Sequence, residues 1–323
     1  MNNPSMSPHI LFSDVNEPLL ASAIDTLKEL GWNIKITANY DNAFLELNRR
    51  FYDFAICGIR NVSDSLKFFN LAKKHHPLIE IIALTNKNVL DIISTIVNPN
   101  FPDHIIPMQY PFNQDLLIST IKKIQSKDIF GLDKYFPTPY EKGAIRIQDS
   151  SKKGAYIKAI LDIASIRGAK KRMLPIIADA LDEVIMNAIY DAPMDETGHK
   201  YDQLYRAIPV SLEENEVAIL SYMIQDDVLA IAMTDPHGSL SKENVYTYFE
   251  KCHAKGEDQI NQGLGGAGLG LYKMFKSVST LIINLAKGKR TELILFFDLN
   301  KPIGQYLKME KTFHIFTQGG MSV

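Results

Sequence analysis

The chain has 323 residues, a formal net charge of -2 and 46% hydrophobic residues, which is enough apolar material for the cores of two domains. This near-neutral balance excludes a uniformly basic surface, so no nucleic-acid partner is expected. The N-terminal residues do not resemble a secretion signal, and no stretch approaches the roughly 20 apolar residues of a membrane span. We therefore expect a cytoplasmic protein without membrane insertion.

The first 125 residues alternate short apolar runs with segments of helical spacing. Because neighbouring parallel strands need crossover helices, this alternation predicts an α/β doubly wound parallel sheet. The predicted strands are His9–Ser13, Trp32–Thr37, Tyr52–Cys57, Ile79–Leu84 and His104–Met108. The predicted helices are Pro18–Leu30, Asp41–Phe51, Leu66–His75, Val89–Ile96 and Leu116–Ile124.

The order and length of these elements resemble the receiver domain of bacterial response regulators, over about residues 8–125. The resemblance implies two acids after the first strand, which hold magnesium, and a phosphoaccepting aspartate at the end of the third. Here only Asp14 supplies an acid, and Gly58 stands at the phosphoacceptor position. Thr85 matches the hydroxyl residue of the family, whereas Tyr110 replaces its lysine. We expect a pseudo-receiver that serves for binding or dimerisation, with an unrelated flavodoxin-like module as the alternative.

The segment 126–150 contains glycines, prolines and mixed charges without a sustained period, which is typical of an interdomain linker. We expect it to separate a first domain, 1–125, from a second, 151–323. In the second domain helices come first and apparently antiparallel strands follow, which predicts an α+β two-layer sandwich. The predicted helices are Ala155–Ile166 and Pro175–Ala188, and the predicted strands are Glu216–Ile224, Val228–Thr234, Val278–Lys287 and Thr291–Leu299.

Three short motifs in the second domain carry groups that can bind a ligand. Glu183 and Asn187 are four residues apart on one helix face, where an amide can coordinate a hard cation and a carboxylate can take a proton. Asp235 ends a strand, and the turn glycine Gly238 follows it. A buried carboxylate at that place can accept a hydrogen bond from an exocyclic amino group. The glycine-rich run Gly263–Leu271 opens a helix, where backbone amides receive phosphates.

Each motif alone is common on helix faces, in turns or in flexible loops, so the interpretation rests on their order. That order resembles the Bergerat ATP-binding fold of the histidine-kinase-like (GHKL) superfamily, over about residues 150–323. P-loop and Rossmann sites fit poorly because no lysine follows the glycines at the required position and no strand directly precedes them. Within the superfamily, the segments 166–169 and 180–188 are similar to the anti-sigma-factor serine kinases.

The resemblance implies that the domain binds ATP and Mg²⁺. Asn187 would ligate the magnesium ion, and Glu183 would be the catalytic base. Asp235 would bind the adenine amino group, and Gly238 would line the adenine pocket. Residues 242–262 would form a mobile lid. The other cofactor-binding residues implied by the resemblance are Asp191, Gly265, Gly266, Gly268, Leu269 and Gly270.

Two departures from the family pattern bear on function. Tyr190 or Asp191 stands where a basic, phosphate-facing residue is common, and residues 192–209 form a long polar insertion. No histidine falls in 125–190, where a histidine kinase would carry its phosphoaccepting residue, so histidine autophosphorylation is not expected. We expect an ATP-dependent protein kinase that acts on a serine or threonine of a partner protein in a bacterial signal-transduction pathway. The alternative is a non-catalytic ATP-dependent switch or scaffold in a two-component-type pathway, with the pseudo-receiver as a homodimerisation surface.

Overall fold

The computed structural model describes residues 7–89, 92, 101–196, 198–201, 204–254 and 269–318. The chain divides into two compact units, Met1–Lys122 and Lys123–Val323. Among the described residues, none of the helices combines the length and the apolar character that a membrane crossing requires.

The first unit contains a parallel sheet with the strand order β2-β1-β3-β4-β5. This is the flavodoxin-like order of a doubly wound fold, so the predicted α/β sheet is confirmed. The helix predicted at Val89–Ile96 lies mostly outside the described residues. The strands are β1 (His9–Ser13), β2 (Asn33–Thr37), β3 (Phe54–Ile59), β4 (Glu80–Thr85) and β5 (His104–Pro107), and the described helices are α1 (Glu17–Glu29), α2 (Tyr40–Leu47), α3 (Val62–His75) and α4 (Gln114–Ser126), whose last residues from Lys123 belong to the second unit.

Local sequence explains these elements. Every residue of β3 is buried, as expected for a central strand covered on both faces. Helix α1 buries Leu20, Ala23, Ile24 and Leu27, an apolar stripe with helical spacing. The side chain of Asn61 caps α3 by accepting hydrogen bonds from two backbone amides of its first turn. The helices therefore present one apolar stripe each to the core of this unit.

The second unit contains a mixed sheet with the strand order β13-β11-β12-β10-β9-β6. Strands β11 and β13 are parallel, and the other neighbours are antiparallel. The strands are β6 (Glu141–Ile147), β9 (Ala218–Gln225), β10 (Val228–Asp235), β11 (Thr280–Ala286), β12 (Arg290–Asp298) and β13 (Thr312–Thr317), and a small hairpin pairs β7 (Met194–Asp195) with β8 (Gly198–His199). The helices described here are α5 (Lys153–Ile166), α6 (Leu174–Met186), α7 (Lys242–Ala254), α8 (Leu269–Ser277) and α9 (Ile303–Tyr306).

The central strands of the second unit's sheet, β10, β11 and β12, are buried on both faces. On one face, Ala230 and Phe296 join a core cluster with Ile129, Leu132 and Phe136. Side chains alternate along a strand, so residues such as Ile231, Met233 and Leu293 point to the opposite face, and they are buried as well. Helices α6 and α8 pack against each other, and the cavity described below lies between them and this opposite face.

A buried polar cluster lies on the face that the 129–136 segment covers. Lys123 is only 1% exposed, and its ammonium group lies 2.5 Å from the Tyr135 hydroxyl and 3.0 Å from Asn284 Oδ1. Glu292 accepts hydrogen bonds from Asn284 Nδ2 at 2.7 Å and from the backbone amide of Gly131 at 3.0 Å. Burial lowers the pKa of Lys123 to about 7, although the nearby Glu292 carboxylate opposes the change.

Residues 126–150, expected to be a linker, are largely built into the second unit. Ile129, Leu132 and Phe136 are buried, and β6 pairs with β9 along its whole length. The strand escapes sequence reading because it lies at a sheet edge, where exposed and half-buried residues alternate and three of its seven residues are charged. Strand β13 is also absent from the sequence-based prediction. The predicted lid, 242–262, begins with helix α7, and its remainder lies outside the described residues.

Candidate functional site

A cavity of about 140 Å³, partly open to solvent, lies in the second unit. Its apolar wall comes from α6, α8 and the sheet, through Val184, Ala188, Met233, Leu271 and Leu293. The polar residues that line it include Asn187, Asp191, His199, Asp235 and Thr291, together with Ser239, Asn244 and Tyr248. The cavity thus joins an apolar wall to a set of hydrogen-bond donors and acceptors.

Helix α6 and the wide turn that follows it position Asn187 and Asp191. The apolar stripe of α6, which includes Leu181 and Val184, is buried and fixes the rotation of the helix. Residues Asn187–Asp191 continue as a π-helical turn, in which the amide of Ala192 donates to the carbonyl of Asn187 at 2.9 Å. Such turns are frequent at functional sites. Both polar side chains line the cavity as a result.

Asp235 ends β10 at the cavity and is buried. Its Oδ1 accepts hydrogen bonds from the backbone amides of His237 at 2.9 Å and Gly238 at 3.1 Å. Burial raises the pKa of this carboxyl, whereas the two amides and the hydroxyl of Thr291, its register partner on β12, act in the opposite direction. Asp235 is therefore a fixed, buried acceptor.

Gly238 shapes the turn after Asp235. Its φ is +61°, and a Cβ there would overlap the backbone of Ala286 and Lys289. Glycine is the residue that tolerates this conformation and this close approach. Gly238 is not among the described residues that line the cavity, so its contribution is to hold the turn and Asp235 in place.

Glu183 stands one turn before Asn187, beside the cavity and not among its lining residues. It contacts Gly270 at the start of α8, where a Cβ would overlap the Glu183 carboxylate. Burial raises the pKa of Glu183, and the nearby cations Arg206 and Lys273 lower it. The carboxyl is therefore partly shielded from water and balanced by positive charge.

The structure brings Asn187, Asp191 and Asp235 around one cavity and pairs Glu183 with Gly270. Three further predicted residues, Gly265, Gly266 and Gly268, lie outside the described residues, and Leu269 is described only as the first residue of α8. Within the described part of the chain, no group of three or more His, Cys, Asp or Glu side chains could hold a metal ion.

Among the site residues that sequence reasoning missed, Thr291 and His199 come from segments outside the three motifs. Thr291 faces Asp235 only because β10 and β12 pair in a particular register, which no local signal reveals. His199 comes from the polar insertion, and its Nδ1 lies 2.6 Å from the carbonyl oxygen of Asp191. The sequence contains a weak signal for His199, because an insertion directly after the helix that carries the candidate site residues is well placed to form a wall of the cavity.

The first unit has no room for a side chain at the phosphoacceptor position. A Cβ on Gly58 would overlap the backbone carbonyl of Asp14. Arg60 Nε lies 3.0 Å from Asp14 Oδ1, so a cation of the protein itself neutralises the single acid. Thr85 is buried and accepts a hydrogen bond from the amide of Lys87, so it is engaged in its own loop.

Neither a protein-family model nor a curated protein matches the chain. Among solved structures, the chain is similar to a response regulator from Thermotoga maritima, with 22% identity over 38% of this chain and 99% of that one, and a TM-score of 0.34. It is also similar to the signal receiver domain of an HD domain-containing protein from Pseudomonas fluorescens Pf-5, with 18% identity, coverage of 40% and 96%, and a TM-score of 0.35. A CheY-like receiver domain protein from Methanospirillum hungatei JF-1 matches with 21% identity, coverage of 38% and 95%, and a TM-score of 0.33.

Proposed function

We propose that the second unit binds ATP with Mg²⁺ and transfers the γ-phosphoryl group to a serine or threonine of a partner protein in a bacterial signalling pathway. The observation that carries this proposal is the common cavity of Asn187 and Asp235. One residue offers an amide oxygen at the end of a helix, and the other offers a buried carboxylate at the end of a strand. The proposal requires the amide of Asn187 and the carboxylate of Asp235 to act on the same bound nucleotide.

The volume and the lining of the cavity suit the amino-bearing six-membered ring of adenine. An apolar cavity of about 150 Å³ takes up a benzene ring, so a cavity of about 140 Å³ that is partly open to solvent has room for one planar ring of that size. Val184, Met233 and Leu293 supply apolar contacts for its faces. Asp235 can accept a hydrogen bond from the exocyclic amino group of adenine, whereas guanine carries its amino group at another position of the ring.

Asn187 fits a magnesium ion that is bound chiefly through phosphates. Mg²⁺ usually keeps several waters and takes one or two protein oxygens beside the phosphates of its nucleotide. A dedicated cluster of acids is therefore unnecessary, and none occurs among the described residues. Bound ATP would supply the phosphoryl group, and Asn187 would hold the metal ion beside it.

Glu183 fits the role of general base. A base works best when its pKa lies near the working pH, and burial raises the pKa of this carboxyl from its usual acidic value. Its contact with Gly270 places it at the end of the glycine-rich segment that would receive the phosphates. It would orient the attacking hydroxyl and take its proton.

A second candidate function is an ATP-dependent switch without phosphoryl transfer. The position of Glu183 outside the cavity lining favours it, because a base must reach the reacting hydroxyl. In this reading nucleotide binding would change the affinity for a protein partner, and the first unit would serve as a homodimerisation surface.

Calorimetric titration of the full chain with a non-hydrolysable ATP analogue, with and without Mg²⁺, tests the shared part of both functions. We expect Asn187→Ala to lose the magnesium-dependent part of the affinity, about tenfold or more. Asn33→Ala, at an exposed position of β2, is the matched control and should bind like the wild type. Absence of nucleotide binding by the wild type would contradict both functions.

Incubation with radiolabelled ATP and pools of serine- and threonine-containing peptides separates the two functions. For the kinase we expect labelled peptide, and Glu183→Gln should reduce the labelling rate by about 100-fold or more. Asp179→Asn, an exposed acid one turn earlier on α6, should keep the wild-type rate. Tight binding of ATP without any labelling would favour the switch.

A further inference from the structure

The polar insertion at 192–209 is docked onto the second unit at several points. The buried Tyr190 side chain donates its hydroxyl hydrogen to the carbonyl of Ile208 at 2.6 Å. Lys200 lies 2.7 Å from Glu216, a buried acid that precedes β9. His199 lines the cavity itself. The insertion is thus one wall of the site.

Within this wall, Arg206 reaches the cavity rim. Its Nη2 donates to both carboxylate oxygens of Asp191, at 3.0 and 2.7 Å. Asp191 lines the cavity, and the positive charge of Arg206 also acts on Glu183. Arg206 therefore stands at the Glu183 and Asp191 end of the site.

The cavity wall is otherwise unsuited to a phosphate chain. Asp191 and Asp235 line it, and none of its described lining residues is a lysine or an arginine. The magnesium ion proposed above offsets only part of the charge of a triphosphate, so these acids would still repel the phosphate chain unless a cation of the protein joined it. Helix α6 offers none at the next turn, because Tyr190 is buried and Asp191 is itself acidic.

We propose that Arg206, carried by the insertion, is the phosphate-recognition residue of this site and exchanges Asp191 for phosphate oxygens when a nucleotide binds. The inference rests on the nucleotide-binding function proposed above. A guanidinium group binds phosphate through paired hydrogen bonds. Its present partner is held weakly, since both side chains of the ion pair are partly exposed, at 43% and 27%. Asp191 then acts as the positioning residue that keeps Arg206 at the rim before the ligand arrives.

The ratio of the affinities for ATP and for adenosine tests this role, because adenosine lacks the phosphates. Both are measured by calorimetry on the full chain in the presence of Mg²⁺. Arg206→Gln should lower the ratio at least tenfold with adenosine affinity unchanged, and Arg206→Lys, which keeps the charge and loses the fork, should give an intermediate value. Arg146→Gln, which breaks an exposed ion pair of the second unit with Glu214 and leaves the insertion intact, should keep the ratio at the wild-type value.

If Arg206→Gln binds ATP and adenosine like the wild type, Arg206 does not act on the ligand, and if both affinities fall equally, Arg206 only holds the insertion in place. Either result overturns the inference and leaves the proposed function standing. If Arg206→Gln does not fold, the ratio in Arg206→Lys decides in the same way. A wild-type protein that binds neither ligand would overturn the proposed function, and the inference with it.

Discussion

The carboxylate of Glu183 lies directly against Gly270, and a Cβ on residue 270 would overlap Glu183 Oε1. This contact joins α6, which carries Asn187 toward the cavity, to the first turn of α8. The proposed base, Glu183, can therefore occupy this position only because residue 270 is a glycine without a side chain. Any residue larger than glycine must displace the carboxylate.

The first prediction concerns Gly270→Ala. Alanine is the better helix former, so any loss must come from the contact with Glu183. We expect unfolding to become easier by about 1–3 kcal/mol, as is typical of overpacking. Peptide labelling should fall by about 100-fold, because a displaced catalytic group loses alignment.

Gly304→Ala is the matched control, because a Cβ at this helical position meets nothing within 4 Å. It should leave both the unfolding temperature and the labelling rate unchanged. If the Gly270→Ala protein labels peptides at the wild-type rate, the role assigned to Glu183 is contradicted.

The second prediction concerns Asp235→Asn. The amide keeps an oxygen for the two backbone hydrogen bonds, so the fold should survive. Because burial raises the pKa of Asp235, the folded state holds this proton more tightly than the unfolded state, and stability falls as the pH rises through the folded pKa. The variant lacks this cost and should melt at least as high as the wild type at pH 7. Adenosine affinity should fall by about 10–100-fold, since a hydrogen bond to a charged group is lost.

Thermal melting and calorimetric titration measure the two effects separately. Asp227→Asn serves as the control, because Asp227 is an exposed acid directly before the other end of β10. This variant should bind adenosine like the wild type. Unchanged adenosine affinity in Asp235→Asn would remove Asp235 from the site.

The third prediction concerns Gly58 of the first unit. Both Gly58→Ala and Gly58→Asp place a Cβ against the Asp14 carbonyl, so each should destabilise by about 1–3 kcal/mol, and the aspartate by more, because its charge is partly buried. Gly58→Asp should also fail to react with acetyl phosphate, since Arg60 already occupies Asp14. Denaturant unfolding and mass spectrometry measure the two outcomes.

Gly154→Ala is the control for this series, because a Cβ at Gly154 meets nothing within 4 Å. It should be as stable as the wild type or slightly more stable. A phosphorylated Gly58→Asp protein with normal stability would show that a working receiver site needs only the missing carboxylate.

The fourth prediction is a pH dependence caused by Lys123. Its pKa is lowered from 10.5 to about 7, so between these values the folded state binds fewer protons than the unfolded state. The free energy of unfolding should therefore rise with pH above about 7, by up to about 1.4 kcal/mol per pH unit. Lys123→Met should remove this rise, whereas Lys122→Met, at the exposed neighbouring position, should keep it.

Denaturant unfolding of the full chain at pH 7 and pH 9 gives the comparison. Equal pH dependence in the wild type and in Lys123→Met would mean that Lys123 stays charged among Tyr135, Asn284 and Glu292.

Strong local patterns made part of the fold predictable. The strands β1, β3 and β4 are continuous apolar runs, and the buried stripe of α6 repeats every three or four residues, so sequence alone located them. Strand β6 has no such run, because it is half-exposed at an edge. A strand prediction that relies on one completely buried face therefore misses β6.

The candidate site was predictable only where its residues follow one another in sequence. Asn187 and Asp191 share a helix end, and Asp235 and Gly238 share a turn. Arg206 reaches Asp191 from the insertion, beyond its β7–β8 hairpin, and its placement depends on contacts made elsewhere. Tertiary packing therefore decides the polar rim of the site, and sequence periodicity carries no information about it.

The pairing of β6 with β9 has a consequence for the order of synthesis. Strand β6 leaves the ribosome before α5, α6 and the insertion, and its partner follows only after all of them. During that interval the backbone N–H and C=O groups of β6 lack the hydrogen bonds that β9 later provides. Contacts so distant in sequence also form slowly. Glu141, Lys142 and Arg146 give β6 charged side chains. A charged strand resists premature association with other nascent chains during this interval.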